Sequence, residues 1–146
     1  LLGVVSEGVF LEFRKEDQLV TPVKNIIGKK ILIVEDDTTS ILYLQELLVD
    51  EGMHIVTATN GQEAIQIIKE EKEIVLILMD INMPVMDGVK ATREIKKLLP
   101  DVPIIAQTAN AMLHDRNKFL SNGFDNYIAK PINKKILLSM ISQYID

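Results

Sequence analysis

The sequence predicts an α/β fold in which a parallel sheet is covered by helices on both faces. Two observations carry that prediction. Short apolar runs rich in β-branched residues, Ile31–Val34, Ile74–Met79 and Val102–Ala106, recur at intervals. Continuous apolar runs, as opposed to alternation, mark strands buried on both sides. Between the runs lie amphipathic stretches of helical period. Strand and helix therefore alternate from residue 30 onward, which gives five βα units and right-handed crossovers.

The elements follow in order. His54–Ala58 and Asp125–Ala129 are weaker runs and read as edge strands. Residues 39–50 form the first helix, with Ile41, Leu42, Leu44, Leu47 and Leu48 on one broad face and Gly52 as the stop. Asn60 and Glu63 resemble a capping box for a helix through about Lys69. Asp87 caps a third helix carrying Val89, Ile95, Leu98 and Leu99, and Pro100 ends it. Residues 110–121 form a fourth, stopped by Gly123. Asn133 caps a fifth, with Ile136, Leu137, Met140 and Ile141 inward. Residues 1–29 fall outside the repeat. Val9–Phe13 reads as a strand, and Glu16–Lys29, which contains Pro22, as a linker.

The composition narrows the function classes. A chain of 146 residues, 47% hydrophobic, buries the core of one domain with room for an appendage. No apolar run approaches twenty residues, so no membrane span is expected. The N-terminus lacks a secretory pattern and begins with Leu, which reads as a fragment of a longer protein. Cys is absent, which excludes disulfides and thiolate metal sites and fits a cytoplasmic setting. The net charge of −5 falls entirely on residues 30–146, because four acids and four bases cancel in residues 1–29. An acidic domain with three Tyr, four Phe and no Trp offers little grip on nucleic acid.

In a parallel sheet of this kind, ligands sit outside the carboxyl ends of the strands. Glu35-Asp36-Asp37, Asp80, Gln107-Thr108 and Lys130 all follow strands and so share that edge. Taken singly, Asp80 reads as a loop or helix cap, Thr108 as a helix opener and Lys130 as a solvated lysine. Asp37 or Thr38 serves as the cap of the first helix. Their joint placement is what points to a site. Carboxylates about 5 Å apart repel by roughly 3 kcal/mol at an effective dielectric near 20. Such a cluster needs a cation or protons. The available ligands are oxygens, which disfavours zinc and suits a hard ion such as Mg²⁺. Mg²⁺, a lysine and a hydroxyl around one carboxylate suit phosphoryl transfer through an acyl phosphate.

The pieces Val34-Glu35-Asp36-Asp37, Met79-Asp80-Ile81-Asn82-Met83-Pro84-Val85-Met86-Asp87-Gly88, Gln107-Thr108-Ala109 and Ala129-Lys130-Pro131 together resemble the receiver domain of two-component response regulators. The resemblance covers residues 30–146. It implies a flavodoxin-like (βα)5 fold, a doubly wound parallel five-stranded sheet of order 2-1-3-4-5. It implies Asp80 as phosphoacceptor and Asp36 as a direct Mg²⁺ ligand, with Glu35 acting nearby through water. The backbone carbonyl of Asn82 is the third implied protein ligand. Thr108 and Tyr127 are the implied switch pair, and Lys130 the phosphoryl partner. It also implies a cis Lys130–Pro131 bond that fixes the lysine's approach. No key position departs from the family pattern. The implied phosphodonor is a histidine on a partner kinase or phosphotransfer domain. A homodimer, if one forms, is expected through the fourth helix, fifth strand and fifth helix.

Asn82 and Asn110 flank the implied path of hydrolytic water. Both are neutral amides and poor general bases, so the acyl phosphate is expected to outlast about one second in the isolated domain. Residues 8–13, Gly-Val-Phe-Leu-Glu-Phe, weakly resemble the last strand of a histidine-kinase ATP-binding domain. The run Ala106–Met112 resembles receivers fused to sensor kinases, and no output domain follows the fifth helix. The expectation is the C-terminal receiver of a hybrid sensor kinase. The resemblance implies a receiver that catalyses its own aspartyl phosphorylation and dephosphorylation but has no kinase chemistry. His54 and His114 lack the His-Glu context of a phosphodonor helix, and no Gly-rich ATP loop is present. The alternatives are a stand-alone regulator, a receiver-like interaction module without phosphorylation, and a flavodoxin-like cofactor binder or hydrolase. The acidic trio, which would repel a cofactor phosphate, argues against the last.

Overall fold

The strands β1 (Lys30–Val34), β2 (His54–Ala58), β3 (Ile74–Asp80), β4 (Ile104–Thr108) and β5 (Asn126–Ala129) pair in parallel in the order β2-β1-β3-β4-β5. This is the flavodoxin-like order expected, and the two weak runs are indeed the edges. The computed structural model describes residues 26–83, 86–109 and 116–145. The expected strand at Val9–Phe13 and most of the expected linker lie outside the described residues.

Among the described residues five helices complete the units: α1 (Thr38–Val49), α2 (Gly61–Glu70), α3 (Gly88–Leu98), α4 (Arg116–Ser121) and α5 (Lys134–Tyr144). The caps account for their starts. Asp37, Asn60, Asp87 and Asn133 each accept a backbone N–H three residues on, satisfying a donor left free in the first turn. Half of the expected capping box forms, the Glu63 N–H bond to Asn60, but the Glu63 carboxylate reaches back to the Thr59 N–H, one residue before the cap. Gly52 and Gly123 take φ of 89° and 99°, the left-handed stop expected of them.

Two cores result. One lies under α2, α3 and α4 and contains Leu32, Val34, Ala64, Ile68, Ile77, Met79, Ile95, Ile104 and Phe119. The other lies under α1 and α5 and contains Ile31, Ile33, Leu44, Leu48, Leu76, Leu78, Ile105, Ile128, Leu137 and Ile141. Alternate residues of the central strands go to alternate cores, as the pleat requires, except at Val75 and Leu76, which both pack on the second core where the β1–β3 register shifts. Ile26 also belongs to the second core at 1% exposure, and Gly28 N–H bonds Gly52 carbonyl at 2.7 Å. Among the described residues no helix is long and apolar enough to cross a membrane.

Some expected details differ. The fourth strand runs over Ile104–Thr108 and not Val102–Ala106. Pro103 has no N–H for the ladder, and Val102 N–H turns back to the Leu99 carbonyl at the exit of α3. The shift makes Thr108 the last strand residue instead of a helix opener. Leu42, Leu98 and Ile136 are 60%, 42% and 51% exposed, against the inward faces expected for them. Leu42 lies about 200° around the helix from Leu44, so the narrow stripe Leu44, Leu47 and Leu48 excludes it. Ile136 stands about 100° around its helix from Leu137. Leu98 is the last residue of α3 and lies about 60° from Ile95, at the margin of the buried face. The described part of the fourth helix begins at Arg116. Residues 110–115 of the expected span, His114 among them, lie outside the described residues.

Candidate functional site

The carboxyl edge of the sheet brings Glu35, Asp36 and Asp80 together. Glu35 leaves β1, and its N–H bonds the Ala58 carbonyl at 2.9 Å, which prolongs the ladder by one residue. Asp80 is the last residue of β3. Each of the three offers a carboxylate oxygen within 4.8 Å of the others. Glu35 is 1% exposed and Asp80 5%, whereas Asp36 faces solvent. Asp37 is turned away by its cap. It accepts from the Ser40 N–H at 2.9 Å and the Ser40 hydroxyl at 2.7 Å, and these bonds hold its carboxyl below the usual range.

Lys130 arrives from the β5 edge of the sheet, just beyond that strand. Its N–H bonds the Thr108 carbonyl at 2.8 Å, and the Lys130–Pro131 bond is cis, as the resemblance implied. The ammonium Nζ lies 2.8 Å from Glu35 Oε1 and 3.4 Å from Asp80 Oδ2. Two further backbone donors complete the cluster: Asp37 N–H to Glu35 Oε2 at 3.2 Å, and Asn82 N–H to Asp80 Oδ1 at 3.0 Å.

The charges do not balance. Two buried carboxylates share one ammonium, and Asp36 adds a third negative charge beside them. Burial pushes the Glu35 carboxyl above its ordinary range. Lys130 opposes that push, and the nearby Asp80 adds to it. For Lys130, burial works against the charge, but the bond to Glu35 and the field of Asp80 outweigh it and hold the ammonium above its ordinary value. Among the described residues, three carboxylates against one lysine leave a deficit of two positive charges. An all-oxygen donor set with that deficit fits a hard divalent cation.

Thr108 ends β4, one strand from Asp80, and is 2% exposed. Tyr127 is half-buried on β5, in register with Ala106, and stacks on Phe119 of α4 at 5.0 Å between ring centroids, 18° from parallel. Phe119 meets Phe124 edge-on at 5.9 Å. By strand alternation Thr108 and Tyr127 belong to the α4 side, and Asp80 and Lys130 to the α1/α5 side. The expected switch pair therefore lies on the α4 face of the sheet, opposite the face that Asp80 and Lys130 share, with Tyr127 against Phe119 of α4. Asn110 lies outside the described residues.

Two residues have more weight in the structure than sequence reasoning assigned them. Phe119 supplies the ring against Tyr127. Its signal was only an apolar residue in a short helix. Gly88 opens α3 directly over the end of β3. A Cβ there would overlap the Asp80 carbonyl oxygen and stand 2.7 Å from Ile81 Cα. An Asp-Gly pair at a helix start reads in sequence as an ordinary cap followed by a small residue.

Comparison with known proteins agrees with this geometry. The family model described as the response regulator receiver domain matches residues 31–142. The hybrid signal transduction histidine kinase I of Dictyostelium discoideum is 38% identical over 128 residues, covering 82% of this chain. The chain spans only 7% of that relative's length. The receiver domain of sensor histidine kinase PA1611 from Pseudomonas aeruginosa, solved with a magnesium ion in its active site cleft, superposes with a TM-score of 0.73. It is 35% identical over 80% of this chain and 97% of that one. The receiver domain of the response regulator Ssk1 from Saccharomyces cerevisiae, solved with the histidine phosphotransfer protein Ypd1, gives 0.74 at 32% identity. That match covers 83% of this chain and 91% of that one. A match across four-fifths of the chain, joined to five parallel strands in this order and an acidic trio at their carboxyl ends, establishes that the chain belongs to the response regulator receiver domain family.

Proposed function

We propose that Asp80 is the phosphoryl acceptor of a two-component phosphorelay. The observation that carries this reading is the buried Asp80 carboxylate, held in place by the Asn82 N–H and faced by Lys130, with two further carboxylates beside it. Asp36, Asp80 and the Asn82 carbonyl would hold Mg²⁺, with Glu35 close by. The ion would neutralise charge on the phosphoryl oxygens. The remaining work belongs to the protein's own groups. An Asp80 oxygen attacks phosphorus, the P–N bond to the donor imidazole breaks, and its electron pair returns to the ring nitrogen. Lys130 moves its hydrogen bond from Asp80 to a phosphoryl oxygen, and the Thr108 hydroxyl bonds another. Thr108 then draws Tyr127 and the α4 side with it, which changes the surface offered to partners.

The donor in this reading is a phosphohistidine on a kinase or phosphotransfer protein, and the reaction takes place in the cytoplasm. Residues 30–146 are the receiver, and residues 1–29 lead from a kinase ATP-binding domain in a hybrid sensor kinase. The match to a hybrid histidine kinase supports that context.

Incubation with a phosphorylated histidine phosphotransfer protein tests the reading. Label is expected to pass to this chain in Mg²⁺ and to stay behind in excess chelator. Transfer that ignores the metal would overturn it. Asn82 is exposed and neutral, so the label is expected to persist beyond about one second after the donor is removed. A shorter life, measured by quenched-flow decay, would show that another group activates water.

A further inference from the structure

Gln107 precedes Thr108 and stands opposite Asp80 in the β3–β4 register. Register partners on adjacent parallel strands send their side chains to the same face. The Gln107 carboxamide therefore shares the α1/α5 side with Asp80. Its partner on β5 is Ile128, and Lys130, two residues further on, follows the same parity. Gln107 thus forms the floor of the acidic cluster, above Ile105 of the apolar core.

That floor is unusual in its chemistry. Gln107 is 0% exposed, and neither its Oε1 nor its Nε2 has a partner among the described residues. A buried amide without a partner loses its hydration and gains nothing in return. Leucine or methionine would fill the space without that penalty. The groups around it are bonded: Glu35 to Lys130 and the Asp37 N–H, Asp80 to Lys130 and the Asn82 N–H. Lys130 has three N–H donors, and among the described residues it has two acceptors, Glu35 and Asp80. One of those, Asp80, is the group that the phosphoryl transfer modifies.

We infer that Gln107 is a positioning residue for Lys130: as the ammonium turns from Asp80 to the incoming phosphoryl group, the Gln107 Oε1 accepts one of its N–H bonds. Adjacent strands lie about 4.8 Å apart, within reach of a rotating glutamine side chain. The amide keeps the ammonium over the acceptor during transfer, when Asp80 no longer holds it. This inference rests on the reading of Asp80 as acceptor.

The test uses Gln107→Met and Gln107→Leu beside the unaltered chain. Removal of the unpaired amide is expected to leave the melting temperature equal or higher. With Mg²⁺ and saturating acetyl phosphate, the phosphorylation rate is expected to fall about tenfold, the loss of one hydrogen bond to a charged group. The acetyl phosphate concentration for half-saturation is expected to stay unchanged. In the unaltered chain, the Gln107 side-chain NH₂ signals, assigned by their loss in Gln107→Met, are expected to move when Mg²⁺ and beryllofluoride are added. Wild-type rates in both variants, or NH₂ signals that stay in place at saturation, would overturn the inference and leave Asp80 as acceptor untouched. Failure of the unaltered chain to take up phosphate would overturn the acceptor reading itself. If either variant fails to fold, the NH₂ shift in the unaltered chain decides.

Discussion

Replacing Lys130 with methionine is expected to slow Mg²⁺-dependent phosphorylation about 100-fold, the usual cost of removing one donor aimed at developing charge. Methionine keeps the length and apolar stem of lysine, so the packing under the cis Lys130–Pro131 turn survives. What disappears is the ammonium 2.8 Å from Glu35 and 3.4 Å from Asp80. The two buried carboxylates then face each other without a protein cation. Glu35, already pushed upward by burial, takes a proton more readily still. Arginine is not expected to restore the rate, because its planar fork cannot occupy the place of a compact ammonium. Stopped-flow or gel-based rates with acetyl phosphate check both variants. A Lys130→Met rate within a few-fold of the parent would remove the lysine from the mechanism.

The second large effect is expected at Gly88. Its φ lies outside the positive region, so the requirement is one of space, not of backbone conformation. An added methyl would overlap the Asp80 carbonyl and crowd Ile81 Cα at 2.7 Å, and both are backbone groups that cannot rotate aside. Gly88→Ala is therefore expected to destabilise the fold by about 3 kcal/mol, the upper range for overpacking. Because the obstruction sits on Asp80 itself, the variant is also expected to lose phosphorylation at temperatures where it remains folded. Urea melts and acetyl phosphate rates measured on one sample separate the two effects. Unchanged stability would mean that the start of α3 moves aside without cost.

Much of this was legible in the sequence because the signals were local. The greasy run ending in Asp80 announces a doubly covered strand, and Asp37, Asn60, Asp87 and Asn133 each announce a helix start. The meeting of Lys130 with Glu35 was legible only through the topology, since the two are 95 residues apart in the chain. What the sequence hid depends on the exact placement of neighbours. Pro103 moved β4 by two residues, a change no apolar count detects. Leu42 and Ile136 carry the right composition at the wrong angle for their helices. Gly88 and Gln107 look ordinary until the backbone of Asp80 is placed beside one and its side chain beside the other.

The most direct test of the central claim is to locate the phosphoryl group. The chain is treated with Mg²⁺ and acetyl phosphate, its intact mass is measured, and the acyl phosphate is trapped by reduction and mapped by peptide sequencing. One phosphoryl group at Asp80, absent in Asp80→Asn and absent with chelator, is the result predicted here. Modification at another residue, or equal labelling of Asp80→Asn, would contradict it.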